Sequence, residues 1–120
     1  MANFLVHIHS GPENPTKAAL GFLVALNALN EGYEVDLFLA GDGVHLLGEE
    51  ALSTLDGVGT GNLGAHFAAI VARGGRFFVS GMSAKARGYD ESLLEGKPAE
   101  FAMPDVLVRL AAAADATLVY

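Results

Sequence analysis

Residues 33–40, YEVDLFLA, followed by Gly41, Asp42 and Gly43, decide the fold class. The stretch alternates charged and apolar side chains at first, and from Leu37 to Ala40 it is apolar without a break. A strand with one wet face keeps alternating. One that becomes continuously apolar is covered on both sides, as in parallel sheets whose crossover helices lie on the two faces. Parallel neighbours also require a long connection, usually a helix, between successive strands. The rest of the chain therefore has to supply strands and helices in alternation.

Toward the amino end it does so. Residues Pro15 to Glu31 are rich in Ala and Leu, with Thr16 near the start and Gly32 as a stop, which predicts a helix. Ala19, Phe22, Leu23 and Leu26 can face a sheet, while Leu20, Val24 and Ala28 point elsewhere and predict a second covered surface. Ahead of that helix, Phe4 to His9 form a short apolar run ending in Ser10, Gly11 and Pro12, a first strand and its loop.

Toward the carboxyl end, Gly48 to Leu55 read as weakly helical or irregular, and Gly57 to Gly64 (GVGTGNLG) as a glycine-rich linker expected to be mobile. Leu63, Phe67, Ile70 and Val71 recur at helical spacing and Gly74-Gly75 closes them. Arg76 to Ser80 (RFFVS) is a strand, Met82 to Pro98 a polar segment, and a helix is expected from near Pro104, with Val106, Leu107, Leu110 and Ala114 as its buried stripe. Ala116 to Tyr120 (ATLVY) is the last strand. The expectation is one α/β domain: a parallel sheet with helices on both faces, right-handed crossovers, no repeat and no second domain.

Composition narrows the function. The formal charge is −7 and the seven basic residues are scattered rather than gathered into a stripe, which argues against nucleic acid as a partner. No cysteine is present, so the chain offers no disulfide, no thiolate zinc site and no persulfide carrier. The start, MANFLVH, lacks the basic region and the apolar length of a signal peptide, and no apolar stretch is long enough to span a bilayer unbroken; the expectation is a cytoplasmic protein. With 52% apolar and only 18% charged residues, little polar surface remains for a small monomer, which predicts a homo-oligomer.

Open parallel sheets bind ligands beyond the carboxyl ends of their strands. That rule selects His9, Ser10 and Gly11 after the first strand, Gly41 to His45 (with Asp42, Gly43 and His45) after the second, and Ser80, Gly81, Met82 and Ser83 after RFFVS. The same glycines, serines and aspartate are also ordinary turn formers. Hydroxyls and free N–H groups in the segment from Ser80 to Arg87 could cradle an anion, with Lys85 and Arg87 adding charge.

Taken together, HSGP before an Ala-rich helix, FLAGDGVHLL after the second strand and the run FFVSGMSAKARG resemble the DsrE/DsrF-like family, in order and over nearly the whole chain. The resemblance implies a flavodoxin-like fold, assembly as a trimer or a multiple of it, and kinship with subunits of bacterial sulfur-relay complexes. In those subunits a cysteine before the GMSA-like segment carries persulfide sulfur. Ser80 occupies that position here, and a hydroxyl cannot form a persulfide. The reading that follows is a subunit that binds a small, possibly anionic ligand or a sulfur-relay protein, with no cofactor and no sulfur transfer of its own.

Other readings use the same loops. Ser80 could act as a nucleophile activated by His9 or His45 with Asp42 as orienter, although the G-x-S-x-G elbow is absent. A hydrogen-bonded pair between Ser80 and a histidine would favour that enzyme, and a structural subunit would have no pocket at the strand ends. His7, His9 and His45 with Asp42 could bind zinc; buried histidines with ordinary hydrogen bonds are the plainer reading. Gly59 to Gly64 matches G-x-G-x-x-G but follows no strand, and Gly11 to Lys17 lacks the second glycine of a phosphate loop. Neither reads as a cofactor motif.

Overall fold

Burial divides the first strand by parity. In the computed structural model, which describes residues 2–120, β1 (Asn3–Ile8) sends Val6 and Ile8 into one core cluster and Leu5 into another. The two clusters lie on opposite faces of the sheet, because side chains alternate along a strand. The sheet itself is assembled from β1, β2 (Glu34–Leu39), β5 (Arg76–Ser80), β6 (Ala99–Ala102) and β7 (Ala116–Val119), in the order β6-β5-β2-β1-β7 and parallel throughout. The register sets Val6 opposite Leu37 and Leu118, and Leu37 opposite Phe77.

The larger core joins Val6, Ile8, Leu37, Leu39, Phe77 and Val79 to α1 (Pro15–Asn30) and α3 (Leu63–Ala72). Asn14 starts α1 by accepting the Lys17 N–H at 3.2 Å, and Ala18, Ala19, Phe22, Ala25 and Ala28 form its buried stripe. Small residues let this helix sit close. A Cβ on Gly21 would lie 2.7 Å from Ile8 Cδ1, so glycine is required for that approach. Phe77 is wedged between Phe22 and Phe67, with ring centroids 5.7 Å and 5.1 Å away. The opposite face buries Leu5, Phe38, Phe78 and Ala102 beneath α5 (Pro104–Ala113), whose Val106, Leu107 and Leu110, with Ala114 just beyond it, are only partly buried. No residue of α5 is fully buried, so it covers its face thinly. The architecture is a flavodoxin-like α/β domain with helices on both faces.

Two segments differ from expectation. The glycine-rich stretch is structured: β3 (Asp56–Gly57) and β4 (Gly61–Asn62) pair antiparallel as a small hairpin. Thr16 clamps its tip, accepting the Val58 N–H on its hydroxyl and the Thr60 hydroxyl on its carbonyl, both at 3.0 Å. His66 Nε2 lies 2.7 Å from the Thr60 carbonyl on the other side. The region from Met82 onward is also more regular than its polarity suggested. It holds α4 (Gly81–Ala86), a 3-10 turn over Glu91–Leu94 and the edge strand β6.

Between β2 and the hairpin, a 3-10 segment (Gly41–Leu47) and α2 (Glu49–Thr54) lie over the carboxyl ends of the strands. They bury Val44, Leu46, Leu47 and Ala51 in the larger core. Among the described residues no helix is long and apolar enough to cross a membrane.

Candidate functional site

The loops after β1, β2 and β5 are locked to one another, and glycine makes the closest contacts possible. A Cβ on Gly11 would overlap the Asp42 carbonyl, and one on Gly43 would overlap the Ile8 carbonyl. Both glycines therefore serve loop-on-loop packing. Gly41 has φ +55°, a left-handed conformation that glycine adopts freely, and its N–H donates to Ser83 Oγ at 2.9 Å. Ser83 N–H in turn donates to Ser80 Oγ at 3.1 Å, which makes Ser80 the N-cap of α4. Arg87 reaches back from the end of α4, donating through Nε and Nη2 to Asp42 Oδ1 at 3.1 Å and through Nη1 to the Ser83 carbonyl.

This network does not leave Arg87 free for the expected anion cradle. The Ser80 and Ser83 hydroxyl oxygens each accept a backbone N–H, and the Arg87 guanidinium is paired with Asp42, so its charge is shared with a carboxylate. Gly81 simply opens α4, and Ser80 and Ser10 are buried. The Ser-His arrangement is not assembled either. Among the described residues no histidine hydrogen-bonds to Ser80, whose oxygen faces the Ser83 N–H instead. His9 is exposed at the end of β1, its ring 5.4 Å from that of His7. No group of three metal-ligating side chains comes together among the described residues.

A crevice of about 840 Å³ opens beside this network. Pro12 and Glu13 from the loop after β1, Pro15 at the start of α1, Asp42 and His45 from the segment after β2, and Glu50, Thr54 and Leu55 from α2 and its end line most of it. Strand order reverses between β1 and β7, yet the crevice lies between the loops after β1 and β2, one strand away. Of the ten residues the sequence nominated, Asp42 and His45 line it; His9, Ser10, Gly11, Gly43, Ser80, Gly81, Ser83 and Arg87 do not.

His45 has an aromatic partner in this crevice. Its Nδ1 lies 2.6 Å from the Tyr89 hydroxyl, and the two rings meet edge to face at 5.4 Å. Tyr89 was not singled out by sequence: it follows Gly88 in a polar stretch, far in the chain from His45, and only the return of α4 across the loops brings the two together. The acidic lining was missed as well. Glu13, Glu49, Glu50 and Asp56 join Asp42, and the lining contains no lysine or arginine.

A family model described as the DsrE/DsrF-like family matches residues 2–120. The chain belongs to the DsrE/DsrF-like family. Among solved structures, this DsrE/DsrF-like chain is similar to the YchN protein from E. coli, with a TM-score of 0.79 and 15% identity over 100% of both chains. It is also similar to BT1422 from Bacteroides thetaiotaomicron, a conserved protein of unknown function, with a TM-score of 0.66 and 13% identity over 98% of this chain and 94% of that one. At such identities these likenesses report the shared fold. No curated protein matches by sequence.

Proposed function

We propose that this DsrE/DsrF-like chain is an oligomeric binding subunit that holds a small ligand in the crevice after β1 and β2, or docks a sulfur-relay partner, and carries no sulfur itself. The observation behind the last clause is Ser80. It stands where the family resemblance implies a persulfide-bearing cysteine, its oxygen caps α4, and the chain has no cysteine elsewhere to take over. Persulfide formation requires a thiolate to attack a sulfane sulfur, and an alcohol does not supply one. Support for ligand binding comes from the open crevice, its apolar walls and the ordered His45–Tyr89 pair. Support for assembly comes from the thin cover of α5 and from Met82, Met103 and Val119, which are all more than half exposed.

The test is intact-mass spectrometry after incubation with polysulfide. The native chain keeps its mass, whereas Ser80→Cys gains sulfur that dithiothreitol removes. Reducible sulfur on the native chain would overturn the proposal. Native mass spectrometry of the same preparation reads the number of copies and any retained small molecule, and Thr54→Trp, which fills the crevice from an exposed position, releases that molecule.

A further inference from the structure

Two arms hold the His45–Tyr89 pair from different parts of the chain. His45 sits in the 3-10 segment between Val44 and Leu46, both wholly buried in the larger core, so its backbone is anchored on either flank. Tyr89 is placed by the end of α4. Gly88 takes a left-handed φ of +82°, its N–H donates to the Lys85 carbonyl at 3.1 Å, and the Tyr89 N–H donates to the Ala84 carbonyl at 3.0 Å. That is the pair of bonds with which a glycine closes a helix, and it turns the following side chain back onto the fold. The Tyr89 ring packs against the larger core and its hydroxyl meets His45.

The direction of the bond between them follows from their acidities. A phenol O–H is more acidic than a neutral imidazole N–H, and an imidazole nitrogen is a stronger base than a phenol oxygen, so the favoured bond runs from the Tyr89 hydroxyl to Nδ1. The separation of 2.6 Å agrees, being shorter than the roughly 2.7–3.2 Å of N–H···O bonds. With Nδ1 as acceptor, the proton of the neutral ring is on Nε2. Among the described residues Nε2 has no partner and is not one of the enclosed polar atoms, and both side chains line the crevice. Resting on the reading that the crevice is a ligand site, we infer that Tyr89 is its positioning residue: it fixes His45 as the Nε2–H tautomer, and the ligand is a neutral molecule whose carbonyl oxygen accepts that N–H while its apolar body lies along Pro15 and Leu55. A carboxylate would accept the same bond, but the lining already holds five carboxylates and no lysine or arginine to offset a further charge.

The tautomer is read by nitrogen-15 NMR of the full chain labelled at histidine. His66 is an internal standard, because its Nε2 faces the Thr60 carbonyl, which only accepts, and so carries a proton. His45 is expected to match that pattern, and Tyr89→Phe to move its Nδ1 resonance toward that of an unbonded ring nitrogen while His66 stays in place. N,N-dimethylbutyramide and protonated N,N-dimethylbutylamine, alike in shape, are then titrated into the same chain. The amide shifts the His45 Nε2–H resonance, and the amine, which has no acceptor, does not. His45→Leu weakens the amide about fivefold, the worth of one neutral hydrogen bond, and His45→Gln, which keeps an N–H donor at the same reach, restores most of it. A proton on Nδ1 of the native chain, or an Nδ1 resonance indifferent to Tyr89→Phe, overturns the positioning role. Amide binding that leaves His45 unshifted, or binding of the amine alone, overturns the ligand class while the crevice remains a site. Binding of neither probe overturns the site as well.

Discussion

His7 lies half-buried in β1 between the rings of His9 and Phe38, and its Nε2 is enclosed without a hydrogen-bond partner. Burial first, and the neighbouring His9 second, hold its pKa below the ordinary 6.5. For a base lowered on folding, the unfolded chain takes up a proton that the native chain refuses. Stability is therefore complete above pH 6.5, falls as pH drops through that value toward the lowered native pKa, and levels off below it. His7→Leu removes this site, so the loss of stability between about pH 7.5 and about pH 5, read from urea midpoints, should shrink relative to the parent. An unchanged loss would assign the pH dependence to other groups. Ser80 makes a second prediction of the same scale. Deleting its hydroxyl leaves the Ser83 N–H unmet, and Ser80→Ala should cost about 1 kcal/mol by urea denaturation, as other lost N-caps do.

At the scale of elements, glycines at the strand ends play different parts that substitution to alanine separates. Gly43→Ala forces a methyl group into the Ile8 carbonyl, backbone against backbone, and should cost about 2 kcal/mol or more. Gly81 begins α4, and a Cβ there would make ordinary van der Waals contact, the nearest atom being Phe101 Cβ at 3.8 Å, so Gly81→Ala should be neutral or raise stability by up to about 1 kcal/mol. Thermal melts of the pair check both signs. The same contrast explains what sequence could reveal. YEVDLFLA and RFFVS were legible as strands because both their faces are buried, and α1 because its Ala and Leu residues are helix formers bounded by Pro15 and Gly32. Strand β6 was hidden: AEFA is short, lies on an edge, and follows a polar segment. The hairpin was hidden because its order comes from Thr16 and His66, outside the glycine run. Asp42 and His45 could be placed by the strand-end rule, whereas Tyr89 and Glu50 reach the crevice from elements whose packing no local pattern encodes.

At the scale of the whole molecule, the surface of 5966 Å² is close to the ~6100 Å² expected of a folded monomer of this mass. The proposed association is therefore expected to be separable from stability. Light scattering at micromolar concentration is expected to show an oligomer, and Met82→Lys with Met103→Lys to shift it toward monomer while the melting temperature changes little. Those two methionines carry a further consequence. In a chain without thiols, oxidation at sulfur has only thioethers to act on, and Met82 and Met103 are 59% and 51% exposed. Peroxide would convert them to sulfoxides, polar and branched at sulfur, in the patch assigned to self-association. If the proposed assembly uses that patch, peroxide treatment should lower the mass seen by light scattering, and methionine sulfoxide reductase should restore it.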